Sequence, residues 1–498
     1  MRTVAAVLVA ALVVLSGCAG VVPTDSEDPL VGGDGDTDTP EPTPANASEG
    51  VTTPPSDFSD PESDTLGWEG GYWYNESIDV EQEDGLNDEE LAKVVNRSMA
   101  RVEYVRGLEF ERSVPVEIVT REEFRAQQSN STTPENRRTF DNVKFEALFM
   151  INESTDSIDT QNTNTGSSVG GYYSPSEKRI VVVSDSPDSP RLSEITLSQE
   201  LFHALQDQQF DLAKFNQSTR EKHNAVDGIV EGDGNYVDYL YGQQCAAEWD
   251  CLTDTRGGGS GGGLANIGPY LLKYQPYSDG PAFVKGIRDR GGWDAVNAVY
   301  RTPPASTEQV IHPDRYPDDQ PRQLTLTDRT SGSWDRLRPE GRVAYAELGE
   351  AGVSAMLVYP LYTQPGTAIV SPQQWLNRNE SGGVSEFDPL NYANRYSDGL
   401  TGDRMAVYQN ADGETGYVWK LTWENEDEAS EFLDGYEQVL EYRNASAVDA
   451  GGPGTTYRIP EDDPNGFADA FRVVQNGDTV IITNAPRVDE LDAVRSSN

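Results

Sequence analysis

SQELFHALQDQQFDL, residues 198–212, sets a glutamine, a glutamate and a histidine at a spacing that metal chemistry uses. On an α-helix, positions four apart lie on one face, about 6 Å apart along the axis. Two histidines so placed grip one tetrahedral metal ion, and a glutamate beside the first can polarise a water on that metal. Here Glu200 stands in the glutamate position and His203 in that of the second histidine, but Gln199 occupies the place of the first. A glutamine offers zinc only a neutral amide oxygen, a poorer donor than an imidazole. A third ligand has to come from elsewhere, and Glu231, in GIVEGDG, lies 28 residues after His203 on an expected helix. On spacing alone the signal is weak, because ExxH arises often by chance in an acidic chain. Standing alone, His203 reads as a hydrogen-bonded helix residue and Glu231 as a solvated or capping carboxylate.

Hydrophobic periodicity frames this stretch. LNDEELAKVVNRSMARVEYVR (86–106) predicts a helix, with Leu91, Val94, Val95, Met99 and Val102 at helical spacing. VPVEIVT (114–120) predicts a strand, and GGYYSPSEKRIVVVS (170–184) a strand, a turn and a strand. Pro190, after Ser189, fits the first turn of the helix carrying the motif. A second helix is expected over 224–241. Further on, residues 404–423 predict two strands, and Asn425 with Glu428 a capping box for the helix that follows. FRVVQNGDTVIIT (471–483) predicts a hairpin turning at Asn476-Gly477. The run GGGSGGG (257–263) lacks the Lys-[Ser/Thr] ending of a phosphate-binding loop.

The N-terminus begins MRTVAAVLVAALVVLSGC: a charged start, an apolar run too short to span a bilayer comfortably, and a lipobox ending at Cys18. Residues 1–18 therefore predict a lipoprotein signal peptide, cleaved before Cys18, whose thiol takes the lipid that attaches the chain to the outer face of the membrane. Residues 19–66, rich in Pro, Thr, Asp, Ser and Gly, predict a disordered tether. The formal charge is −46, from 84 acidic against 38 basic residues spread along the whole chain. That sign excludes a nucleic-acid binder. Its dispersion fits a folded protein of concentrated salt, where self-repulsion is screened. Cys245 and Cys251, in CAAEWDC, form an even pair in an exported chain and predict a disulfide. Sequons at Asn46, Asn75, Asn96, Asn130, Asn152, Asn216, Asn379 and Asn444 are candidate glycan acceptors.

Several stretches, in order, resemble exported prokaryotic proteins with a zincin-type HExxH core: GGYYSPSEKRIVVVS, QELFHALQDQQFDL, GIVEGDG, residues 276–316 with STEQVIHPDRY, then YAELGEAGVSAML and GDRMAVYQ. The resemblance covers roughly residues 90–440, and within that set the chain is most similar to haloarchaeal surface lipoproteins. It implies an α+β fold: a zincin-like domain over 67–330 with an active-site helix pair, then a smaller α+β module over 331–498. It implies that His203 and Glu231 are zinc ligands and Glu200 the general base. Gln199 departs from the pattern and leaves zinc weakly bound or absent. Tyr172 and Tyr173 match an edge strand lining a cleft, or else simply pack. His312 reads as structural and His223 as a surface residue. Two functions stay open: a degenerate core serving as a binding or structural surface module for a peptide or surface glycan, or an active surface metallopeptidase using a zinc-bound water. A solute-binding lipoprotein is disfavoured, because QELFH and STEQVIHP do not suit a two-lobed binder.

Overall fold

Apolar residues of the chain fall into two large clusters, and the helix pair of interest lies in one of them. A computed structural model describes residues 51–129, 133–184, 186–253, 264–364 and 366–496. The lipobox with Cys18, the sequons at Asn46 and Asn130, and the GGGSGGG run lie outside the described residues.

Helix α1 (Asp88–Arg106) begins at Asn87, whose side chain accepts from Glu89 N and Glu90 N in a full capping box, and ends at Gly107 with φ 71°. Short strands β1 (Trp68–Glu69) and β2 (Tyr72–Trp73) precede it. Then come β3 (Val116–Val119), α2 (Arg121–Ser129), α3 (Glu135–Glu146), α4 (Ser157–Ser168), β4 (Gly171–Ser174) and β5 (Arg179–Val183). The three-stranded sheet runs β3-β5-β4, with β3 parallel and β4 antiparallel to β5, so β4 is an edge.

Helix α5 (Glu194–Phe210) carries the opening motif. It starts four residues later than Pro190 suggested: Ser193 caps it, accepting from Thr196 N, while the Pro190 carbonyl accepts from Leu86 N. Pro190 thus bonds a segment far earlier in the same chain and stays outside the helix. Helix α6 (Arg220–Ala247) is longer than predicted at both ends. Its glycines do not interrupt it because helix α7 (Ile267–Val299) crosses there. A Cβ on Gly232 would stand 2.5 Å from the Gly280 carbonyl oxygen, so the contact is backbone against backbone. Helix α7 itself kinks at Gly291 and Gly292, the latter with φ 66°. A short α8 (Thr307–Ile311) follows.

The rest forms α9 (Gly349–Thr363), α10 (Pro372–Trp375), α11 (Glu426–Tyr442), α12 (Leu491–Val494) and a seven-stranded antiparallel sheet. Its strands are β6 (Asp335–Arg336), β7 (Leu400–Gln409), β8 (Thr415–Trp423), β9 (Ser446–Val448), β10 (Thr455–Arg458), β11 (Ala470–Asn476) and β12 (Thr479–Ala485), in the order β6-β7-β8-β12-β11-β10-β9. Asn425 caps α11 as expected. The β11–β12 register pairs Asn476 with Thr479, so the loop is Gly477-Asp478, one residue later than predicted. Glycine is required at its first position, where φ is 59°.

The chain is thus α+β, with helices and sheets both extensive. The sheet's core does not stop near residue 331: Phe124, Phe140 and Tyr270 share one cluster with Trp419, Phe432 and Ile482. The expected tether also ends early, since Thr52 N donates to Leu66 O and Trp73 Nε1 to Ser59 O. Among the described residues no helix is long and apolar enough to cross a membrane.

Candidate functional site

Helices α5 and α6 pack side by side; Gln199, His203 and Glu231 come together between them, while the Glu200 carboxylate turns to strand β4. None is more than 2% exposed. Closeness is permitted by Gly234: a Cβ there would lie 3.0 Å from His203 Cε1 and 3.8 Å from Gln199 Cγ.

His203 Nδ1 is 2.7 Å from Gln206 Oε1. The Gln206 amide nitrogen donates to the Val230 carbonyl at 2.8 Å and to Tyr300 Oη at 2.6 Å. A carbonyl can only accept, so the Gln206 NH2 must face Val230 and its Oε1 must face the imidazole. His203 therefore carries a hydrogen on Nδ1, and Nε2 faces Glu231, 3.4 Å from Oε2. The support continues outward: Tyr300 Oη donates to Asp233 Oδ2 at 2.7 Å, and Arg106 pairs with the same carboxylate at 3.0 Å. Burial by itself would push the His203 pKa down. The Glu231 carboxylate outweighs it, with Glu200 and Gln206 adding to the effect, and holds the pKa up at about 9. A single proton on Nε2 thus makes a buried imidazolium–carboxylate pair.

Does zinc fit? Zinc bonds of about 2.0–2.2 Å give a tetrahedral edge of about 3.3–3.6 Å, which the 3.4 Å separation of His203 Nε2 and Glu231 Oε2 matches. Among the described residues neither of those two atoms has a hydrogen-bond partner apart from the other, and Gln199 Nε2 is buried and has none. His203 Nε2 and Glu231 Oε2 stand at the spacing of two zinc ligands. The third is a neutral amide, so the donor set falls short of the three good protein ligands of a catalytic zinc centre. The residues do not fit catalytic zinc.

Glu200 does not point into open space either: its Oε2 accepts from Tyr173 N at 2.7 Å. Tyr173 lies on the edge strand β4, only 1% exposed, and its hydroxyl donates to Asp207 Oδ2 at 2.7 Å. Lys178 Nζ reaches the same oxygen at 2.6 Å. Tyr172 packs on Phe124 with ring centroids 5.9 Å apart. The expected edge strand is present, packed onto the motif helix. His223 is a correction: it is buried, with Nδ1 3.0 Å from Gln217 Oε1 and Nε2 3.1 Å from Asp227 Oδ2, so its imidazole serves the start of α6 and not the Gln199 corner.

Cys245 and Cys251 are bonded, with an S–S distance of 2.04 Å. The loop they close is tied to α5, where Glu194 Oε2 accepts from Leu252 N at 3.0 Å and pairs with Arg97 at 3.0 Å. Of the described sequons, Asn75, Asn216, Asn379 and Asn444 are exposed. Asn96 and Asn152 are half-buried, and their amides donate to Gly70 O and Asn465 O. The supporting residues Gln206, Tyr300, Asp233 and Arg106 had no assigned role in the sequence reading. Only the position of Gln206, one helical turn after His203, offered a signal.

Over residues 335–495 the chain matches a family described as "Domain of unknown function (DUF8575)". Comparison with curated proteins finds no match, and comparison with solved structures finds none. The matched span takes in the whole seven-stranded sheet and excludes the α5–α6 site.

Proposed function

We propose that the chain is a lipid-anchored protein of the cell surface whose zincin-like core is catalytically retired and serves as a binding or structural module. The observation that carries this reading is the fate of the motif residues. Gln199 replaces an imidazole, His203 and Glu231 can neutralise one another with one proton, and Glu200 holds a strand amide, all within 2% exposure. A peptidase must admit an extended peptide and a water to these groups; a buried ion pair admits neither. The lipobox at Cys18, the sequons and the dispersed charge of −46 support placement outside the membrane in concentrated salt. The Cys245–Cys251 disulfide supports an oxidising compartment. Its ligand class is a peptide or surface glycan.

The decisive test compares wild type with Glu200→Gln on a fluorogenic peptide library in high salt, with zinc added. A glutamine oxygen still accepts from Tyr173, so folding is kept. The expected result is equal, background turnover; turnover that depends on Glu200 refutes the proposal. The zinc-like edge between His203 and Glu231 favours the alternative of a weak but active metallopeptidase, which that same outcome would establish. Cys18→Ser is expected to move the protein from the membrane fraction to the medium.

A further inference from the structure

His312 closes α8, and its imidazole faces the first turn of α9. Its Nε2 lies 3.1 Å from Glu350 Oε1 and 3.7 Å from Asp398 Oδ1. Asp398 precedes β7, so the three residues come from three separate segments. The distances bracket the edge of about 3.3–3.6 Å that tetrahedral zinc imposes on its ligands. One imidazole and two carboxylates are also a donor set that zinc and its neighbours accept.

A second observation points to a cation. The Glu350 side chain is 0% exposed, and its other oxygen, Oε2, has no hydrogen-bond partner among the described residues. That oxygen belongs to the carboxylate facing His312. A buried carboxylate oxygen without a donor is costly unless a proton or a bound cation supplies what is missing.

The charges around it agree. Arg315 pairs with Glu308, Asp398 and Glu424, reaching Asp398 through the same Oδ1 that faces His312. Asp279 adds its field to Glu350 and His312 from α7. Carboxylates outnumber the cationic side chains named at this corner. Asp398 is 48% exposed and gives an ion a way in. On the other side, Glu350 lines a cavity of about 280 Å³ with Glu221, Glu347 and Asp403.

We propose that His312, Glu350 and Asp398 bind one divalent transition-metal ion of the Zn2+ class. The ion fastens residues 335–495 to the helices before them, because His312 lies outside that span and the two carboxylates lie inside it. This site is independent of the α5–α6 pair.

The test is calorimetric titration of the EDTA-stripped full chain with Zn2+ in concentrated salt. One equivalent is expected to bind and to raise the thermal midpoint. Glu350→Gln and Asp398→Asn are each expected to weaken binding more than about 100-fold, beyond the loss typical of an outer-shell change, with circular dichroism unchanged. Asp398, half-exposed, gives the variant least able to disturb folding. His203→Gln is expected to keep the binding. The proposal is overturned by absence of saturable binding, by binding that survives both carboxamide variants, or by loss in His203→Gln alone. Ca2+ bound as tightly as Zn2+ overturns the metal class.

Discussion

Gln199→His should complete a zinc site where two side chains already stand at ligand spacing. Gly234 leaves room on that face, since a Cβ there would be 3.8 Å from Gln199 Cγ. His203 Nε2 and Glu231 Oε2 already sit 3.4 Å apart. Zinc must first displace the proton they share. With the His203 pKa held at about 9, that displacement costs about 2.7 kcal/mol at pH 7 and vanishes near pH 9. Outer-shell changes alone alter affinity about 10- to 100-fold, so a first-shell imidazole should raise it at least about 100-fold. At free zinc a hundred times the dissociation constant, stabilisation is about 2.7 kcal/mol, a rise of a few degrees in the thermal midpoint. The assay is zinc titration by calorimetry at pH 7, 8 and 9, with Glu350→Gln as a common background so that the His312 corner does not contribute. Affinity should climb about tenfold per pH unit. Gain without that slope, gain that survives Glu231→Gln, or no gain would show that the α5–α6 geometry is not that of a lapsed metal site.

The wild-type pair has its own pH signature. Its folded pKa of about 9 lies above the ordinary 6.5, so its stabilisation is complete below pH 6.5 and is lost as pH rises to 9, about 3 kcal/mol in all. The gap in denaturant-derived stability between wild type and His203→Gln should narrow across that window, and a gap that stays constant refutes the ion pair. Glu194→Gln should cost about 3–5 kcal/mol by leaving Arg97 and Arg101 without their buried counter-charge; a loss below about 1 kcal/mol in guanidinium unfolding would contradict it. Gly232→Ala should cost about 1–3 kcal/mol as its Cβ pushes on the Gly280 carbonyl, and an unchanged melting temperature would mean that the helices separate freely there.

Much of the local structure was legible because its causes are local. Periodicity placed α1 within two residues, and the β-rich runs on either side of SPSEK gave β4 and β5. Asn425 was read correctly as a cap from its own neighbourhood. What failed depends on partners far along the chain. Pro190 stays out of α5 because Leu86 takes its carbonyl, and α6 runs through its glycines because Gly280 packs on them. His223 is buried through bonds near its own helix start, yet the burial itself is tertiary. That Glu231 would come near His203 is an expectation the resemblance carries, with spacing alone a weak signal, and the two side chains do face each other. The Glu200–Tyr173 bond and the corner at His312 were not legible, since each joins segments with no shared pattern.

The bond from Tyr173 N to Glu200 has a further consequence. Strand β4 ends its sheet, but helix α5 covers that margin, and Tyr173 is buried there. Glu200 takes a main-chain donor that no neighbouring strand takes. Truncating it to alanine would leave that buried donor unsatisfied, at about 1–3 kcal/mol, and a vanished signal in that variant would report lost stability and not lost chemistry.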